Sequence, residues 1–389
     1  MRNNDVRESE IASGEDEPVT AVDQTISDDI NGSKKENERN GNLQILRFVA
    51  AALVLITHIT FYIHERIDIS VDVWHGGELG VPIFFVISGF VMFVSAEKVA
   101  GGLKAAKRFL QRRIVRIFPL LWLINTLKLL VAVVAPATII HNFPDIQRVL
   151  CAYFLFPTLN ETGEFVLLHG VAWTLLHEMF FYYLFATAIL IRWSPLVFCS
   201  STILILWVVG WFVPAESGVE KVFFSSLNLM FVAGMFLAFI YKKNIKVRKD
   251  FSIVLLLLGV STLLLSSVGA VRREFIGDFP IEAIMIFIPI VSTGVRFPKK
   301  AEALLTKLGD SSYSLYMAHP ILAPAVCLSL LKLKIQSIEI VLPTAFFVSV
   351  FVAYFIYKYI EGPMNSRFRK FLDNVLASRR FSKVGSQES

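Results

Sequence analysis

Charge is what this chain has least of. Only 18% of its 389 residues are Asp, Glu, Lys or Arg, against roughly 25% in an ordinary soluble domain, while 55% are apolar. That shortfall argues against a soluble globular protein. Cysteine is equally scarce. Cys151, Cys199 and Cys327 stand apart in apolar surroundings, so neither a disulfide framework nor a Cys-x-x-Cys zinc site is on offer, and small buried hydrophobes are the expected use. Internal repeats are missing, as is a soluble enzymatic domain at either end. The first 42 residues do not resemble a secretory signal, since the first apolar run starts only at Leu43 and no small-residue cleavage site follows it. A mitochondrial transit peptide would be basic, and the first 42 residues are not.

The net charge of +6 joins two unlike parts. Residues 1–42 hold eleven acidic and five basic residues, leaving 21 acidic and 33 basic in residues 43–389. The acidic segment is rich in Asp, Glu, Asn and Ser and poor in aromatics, so it lacks the apolar surface to offset the entropy of ordering. It is expected to be a disordered cytoplasmic tail.

From Leu43 onward apolar runs alternate with short charged gaps. A bilayer-spanning helix needs about 20 mostly apolar residues, and about ten such runs occur: 43–63, 78–97, 115–136, 172–191, 195–213, 224–241, 252–269, 281–296, 310–331 and 339–359. In hydrocarbon, runs of this length must satisfy their backbone internally and are therefore helices. The expected fold is an all-α polytopic membrane protein. Bases crowd the gaps after the second, sixth, eighth and tenth runs (Lys98 to Arg116, Lys242 to Lys249, Arg296 to Lys307, Arg367 to Lys370). These fall on one side if both termini are cytoplasmic. Lys332 and Lys334 run against that pattern. The positive charge thus reads as topology in a multi-pass plasma (inner) membrane protein, and nucleic acid is not an expected partner. The domain reading is an acidic tail over 1–42, a membrane domain over 43–363 and a basic cytoplasmic tail over 364–389. In the long outward gap 137–171, the stretch Val149 to Leu159 is too short to span and suggests a re-entrant or interfacial segment.

Ionisable groups inside a span are costly and mark function by default. Arg47 and His58 lie eleven residues apart in the first run. That spacing is about 20° from a whole number of helical turns, placing both on one face, roughly 16 Å apart. A snorkelling arginine and a packing histidine are the alternative. Arg113 and Arg116 are neighbours on a helix face ahead of the third span and make a fork suited to phosphate, or ordinary positive-inside anchors. Glu178 lies within the fourth run with Tyr182 one turn on. Its carboxylate needs a partner, and His58, at similar depth, is the expected one, with His177 as a substitute. Tyr313, Tyr316 and His319, ahead of Pro320 in the ninth run, suggest a polar seam. Ser88-Gly89 in the second run reads as a small-residue helix contact.

Taken in order, these motifs resemble the integral-membrane acyltransferase 3 family over about residues 43–363. The resemblance rests on R-x10-H (Arg47, His58), F-F-x-x-S-G-F (Phe84 to Phe90) and R-x-x-R (Arg113, Arg116). It is extended by W-T-L-x-x-E-x-x-F-Y (Trp173 to Tyr182), S-Y-S-L-Y-x-x-H-P (Ser312 to Pro320) and Tyr357, Glu361 and Pro363. Two departures stand out, Phe48 where the family often has Gly and Thr174 where it often has Ser. The exopolysaccharide-modifying branch is the most similar.

The resemblance implies an acyl-CoA donor, commonly acetyl-CoA, no tightly bound cofactor and no metal. It implies as acceptor a glycan or lipid-linked oligosaccharide hydroxyl. On that basis Arg47, Arg113 and Arg116 would hold the donor phosphates. His58 would act as general base, oriented by Glu178, or would carry the acyl group itself, and Tyr182, Tyr313, Tyr316 and His319 would line the substrate path. Glu361 is expected to form a structural salt bridge with the basic loops. A transporter or flippase for a glycan precursor is the rival from another class, and a scaffold subunit of an export complex a third.

Overall fold

The computed structural model describes residues 20–96, 101–134, 145–159, 165, 167–243, 245, 247–267, 279–292 and 298–385. Among them all regular structure is helical. The helices are α1 (Thr20–Arg66), α2 (Gly80–Ala96), α3 (Leu103–Val134), α4 (Ile146–Phe154), α5 (Trp173–Leu190), α6 (Pro195–Val209) and α7 (Gly218–Phe223). They continue with α8 (Leu229–Lys242), α9 (Lys249–Ser267), α10 (Ile281–Ser292), α11 (Lys299–Asp310), α12 (Ser312–Lys332), α13 (Ile338–Ile356) and α14 (Gly362–Gly385). Of the acidic segment, residues 1–19 lie outside the described residues, and over 20–40 only the helical backbone of α1 is described.

Each of the ten apolar runs contains a helix. Among the described residues seven helical segments are long and apolar enough to cross a bilayer, in α1, α2, α3, α5, α7–α8, α12 and α13–α14. Two more, α6 and α10, are apolar but shorter. The chain is an all-α polytopic membrane protein. Helix α3 begins twelve residues ahead of the expected span because Leu103 to Gln111 is a run of good helix formers with no breaker.

The short stretch in the long outward gap forms α4. Asp145 caps it, accepting from the Arg148 amide at 2.7 Å, and Leu155 closes it in the left-handed conformation at φ 52°. One face is tied to α3: the Trp122 indole donates to the Tyr153 carbonyl at 2.9 Å and the Asn125 amide to that of Ala152 at 3.1 Å. Ile146, Leu150 and Phe154, each four residues on, are exposed on the other, the stripe an interfacial helix would show to acyl chains.

Helices α2 and α8 pack backbone to backbone, and glycine makes that possible. A Cβ on Gly89 would stand 2.1 Å from the Phe231 carbonyl oxygen, and one on Gly234 would stand 2.1 Å from that of Val86. Two buried apolar clusters result. One joins α2, α3, α5, α8 and α10 and takes in residues of α1, α6 and α12; the other joins α1, α12 and α13, with Phe84 packed against both. The seam between them is where polar side chains collect.

The residues expected as a C-terminal tail continue as helix. A single π turn, Tyr357–Glu361, joins α13 to α14, which packs along α3 through Gln111 donating to Asp373 at 2.8 Å and Trp122 edge-on to Phe368.

Candidate active site: two chambers that meet at Tyr316

Helix α1 runs along the seam and presents Arg47 and His58 to different spaces. Arg47 lines a narrow chamber, together with Ser88, Arg116, Glu178, Ser312 and Tyr313. His58 lines a much wider one, together with Glu78, Trp173, Trp207, Trp211 and Glu282. Two residues, Val81 and Tyr316, line both. Eleven residues of helix, about 16 Å at 1.5 Å per residue, therefore separate a basic chamber from a histidine chamber, with a tyrosine in the wall between them.

In the basic chamber Glu178 accepts hydrogen bonds from Ser88, at 3.1 Å, and from Tyr182. The i to i+4 placement on α5 delivers Tyr182 to the carboxylate. Ser88 comes from α2, aimed by the glycine contact next to it. The Ser88-Gly89 pair thus divides its labour: Gly89 is the small-residue contact, and Ser88 is a site residue that the sequence hid. Arg116 stands within electrostatic reach of Glu178, Glu361, Tyr182 and Tyr313. Tyr313 donates to the Ile117 carbonyl at 2.8 Å, locking α12 onto α3 beside Arg116. Among the described residues the buried Ser312 hydroxyl has no hydrogen-bond partner, a group left for a ligand to satisfy.

Arg113 does not share this lining. Its guanidinium lies over the rings of Phe109 and Tyr182, 5.4 and 5.5 Å from their centroids, a cation–π clamp. Neighbours three apart on a helix point about 60° apart, so the expected fork is split between chamber and stack. Behind it, Arg112 is electrostatically coupled to Arg108, Arg113 and, from α14, Arg369. These bases form a cationic rim at that end of the bundle.

Glu178 is also not brought onto His58. Similar depth on two helices does not fix which way each side chain points, and here Ser88 and Tyr182 claim the carboxylate. His177 is taken as well: its Nδ1 is 3.0 Å from Asn228 Oδ1, and Asn228 in turn donates to the Val222 carbonyl at 2.7 Å, with Trp173 and Phe85 against the ring. It is a packing histidine. Glu361 is buried and accepts from Ser314 at 2.5 Å, inside the bundle and not on a loop salt bridge.

His58 is oriented by its own helix. Its Nδ1 lies 2.9 Å from the Val54 carbonyl; a carbonyl only accepts, so Nδ1 carries the proton and Nε2 of the neutral ring keeps its lone pair. His319 repeats the arrangement against Leu315 at 3.2 Å, and its ring meets His58 edge-on at 4.7 Å. Tyr316 completes the wall, sharing hydrogen bonds with Thr174 Oγ1 at 2.9 Å and the Val171 carbonyl at 3.0 Å. A cationic chamber that shares the Tyr316 wall with one displaying an unprotonated imidazole nitrogen suits transfer of a group from an anionic carrier to a nucleophile deprotonated by histidine.

Comparison with known proteins gives two matches. The acyltransferase 3 family, described as an acyltransferase domain, matches residues 40–358. The exopolysaccharide production protein ExoZ of Rhizobium meliloti (strain 1021) is 29% identical over 253 residues, covering 62% of this chain and 75% of ExoZ. No solved structure matches.

Proposed function

Since the chain belongs to the acyltransferase 3 family and is a multi-pass membrane acyltransferase, we propose that it is an O-acyltransferase of exopolysaccharide production. It moves an acyl group, acetyl in the first instance, from cytoplasmic acyl-CoA to a hydroxyl of an exported polysaccharide or its lipid-linked precursor. The polysaccharide part of this reading leans on the likeness to ExoZ. The observation that carries the chemistry is the pair of chambers on one face of α1, meeting at Tyr316.

In this reading the protein sits in the plasma (inner) membrane with the basic chamber toward the cytoplasm. The rim of Arg108, Arg112, Arg113 and Arg369 draws in the CoA phosphates, and Arg47 and Arg116 hold the donor farther in. Glu178 balances Arg116 and, through Ser88 and Tyr182, fixes the chamber wall; it is a positioning residue for the donor and not the partner of His58. The thioester carbonyl arrives beside Tyr316. His58 Nε2 takes the proton of the acceptor hydroxyl as its oxygen attacks that carbonyl, the C–S bond breaks, and the thiolate leaves into the basic chamber to be protonated. Direct attack is preferred to an acyl-histidine because His58 opens on the chamber with room for a glycan.

The deciding experiment compares ester content of the surface polysaccharide, by mass spectrometry before and after mild alkali, in a deletion strain carrying wild type or His58→Ala. Wild type restores acyl mass and His58→Ala does not. A transporter would leave the polysaccharide mass unchanged in both, and full esterification by His58→Ala would end the proposal.

A further inference from the structure

The histidine chamber holds features that the chemistry at His58 does not use. Trp207 and Trp211 stand four residues apart at the end of α6, their rings 4.8 Å centroid to centroid and nearly perpendicular. Trp211 is 66% exposed, yet it lines the chamber. Its turn is pinned: a Cβ on Gly210 would come within 2.6 Å of Phe224 Cβ, so only glycine lets that turn sit against α7 and present the indole. Across the chamber, Glu282 on α10 is 8% exposed and lines the same space. Among the described residues no hydrogen-bond partner answers its carboxylate. An acid in the first turn of a helix gains from the helix dipole, and its place on the chamber lining leaves its carboxylate within reach of a ligand.

Flat aromatic faces beside an unanswered carboxylate match the chemistry of a sugar ring. The axial C–H face of a pyranose packs on an indole, and its hydroxyls donate to a carboxylate in charge-assisted hydrogen bonds. We propose that the histidine chamber is a carbohydrate subsite in which a pyranose of the acceptor stacks on the Trp211 indole, braced edge to face by Trp207, and donates hydroxyls to Glu282. This presents a further hydroxyl to His58. The inference rests on the acyltransferase reading and adds the residues that choose the acceptor.

The test uses the full-length protein in nanodiscs, acetyl-CoA as donor, and as acceptor the producing strain's own polysaccharide stripped of esters by mild alkali. Trp211→Ala, Trp207→Ala and Glu282→Gln are each expected to raise the acceptor KM about tenfold, with the acetyl-CoA KM and the rate at saturating acceptor unchanged. Trp211→Phe, which keeps a stacking face, stays within about threefold of wild type. Wild-type transfer with an unchanged acceptor KM in all three variants overturns the subsite and leaves the acyltransferase reading intact. The subsite is equally overturned if Trp211→Phe loses as much as Trp211→Ala, or if the acetyl-CoA KM moves in step. No transfer by wild type to any glycan removes the acyltransferase reading itself.

Discussion

Tyr316 offers the sharpest perturbation, because its ring is part of the wall that keeps the two chambers apart. The side chain is 7% exposed, and replacing it with alanine leaves space for two or three waters at about 30 Å3 each. Those waters would stand where the acceptor oxygen should, so Tyr316→Ala is expected to convert a transferase into a thioester hydrolase. Its stability cost is that of a buried aromatic truncated to alanine, about 3 to 5 kcal/mol. Tyr316→Phe keeps the wall and loses only the hydroxyl. The Val171 carbonyl still accepts from Thr174 at 3.1 Å, so that loss costs about 1 kcal/mol. The assay counts free acid and ester formed per thioester consumed, in nanodiscs at a temperature where melting curves show each variant folded. Wild type and Tyr316→Phe should give ester almost alone, and Tyr316→Ala mostly acid. A folded Tyr316→Ala that makes ester with no extra hydrolysis would refute the idea that the ring separates donor from water.

Three further expectations follow from the same geometry. Gly89→Ala must push α2 and α8 apart by about 1 Å to relieve a 2.1 Å contact, an overpacking cost of about 1 to 3 kcal/mol. It should lower the melting temperature in detergent and weaken donor binding through Ser88, and an unchanged melting curve would argue against so close a crossing. Tyr182→Phe removes a charge-assisted bond to Glu178 and keeps the ring under Arg113, a loss worth about 1.5 to 3 kcal/mol, so the acyl-CoA KM should rise roughly tenfold or more with acceptor KM unmoved; a selective acceptor effect would contradict the placement of Glu178. Asn228→Ala strips His177 of its partner and should cost about 1 to 3 kcal/mol of stability while the kinetic constants of the folded fraction stay put, which active-site titration beside thermal melting can check.

What could be read along the chain was whatever one helix decides by itself. The shared face of Arg47 and His58 follows from eleven residues of helical rise, and Tyr182 lies on Glu178 by i to i+4 spacing. Composition and run length gave an all-helical membrane body. What escaped depends on how helices cross. Ser88 finds Glu178 only because Gly89 and Gly234 let α2 and α8 close to backbone contact, and His177 meets Asn228 across 51 residues. Depth alone suggested Glu178 for His58, but direction around the helix axis assigned it to Ser88. A π turn at Tyr357–Glu361, invisible to hydropathy, brings Glu361 inward to Ser314.

The separation of Arg47 from His58 along α1 has an electrical consequence. If the acyl group crosses from the basic chamber to the histidine chamber and leaves its thiolate behind, one positive charge equivalent travels outward. A potential of 100 mV then opposes or assists each turnover by up to about 2.3 kcal/mol, in proportion to the fraction of the field between the chambers. If the hydroxyl proton returns past Tyr316 to the thiolate, the two displacements cancel and the enzyme ignores voltage. On the proposed reaction, the wall of Val81 and Tyr316 thus decides whether acyl transfer is coupled to the energised state of the membrane.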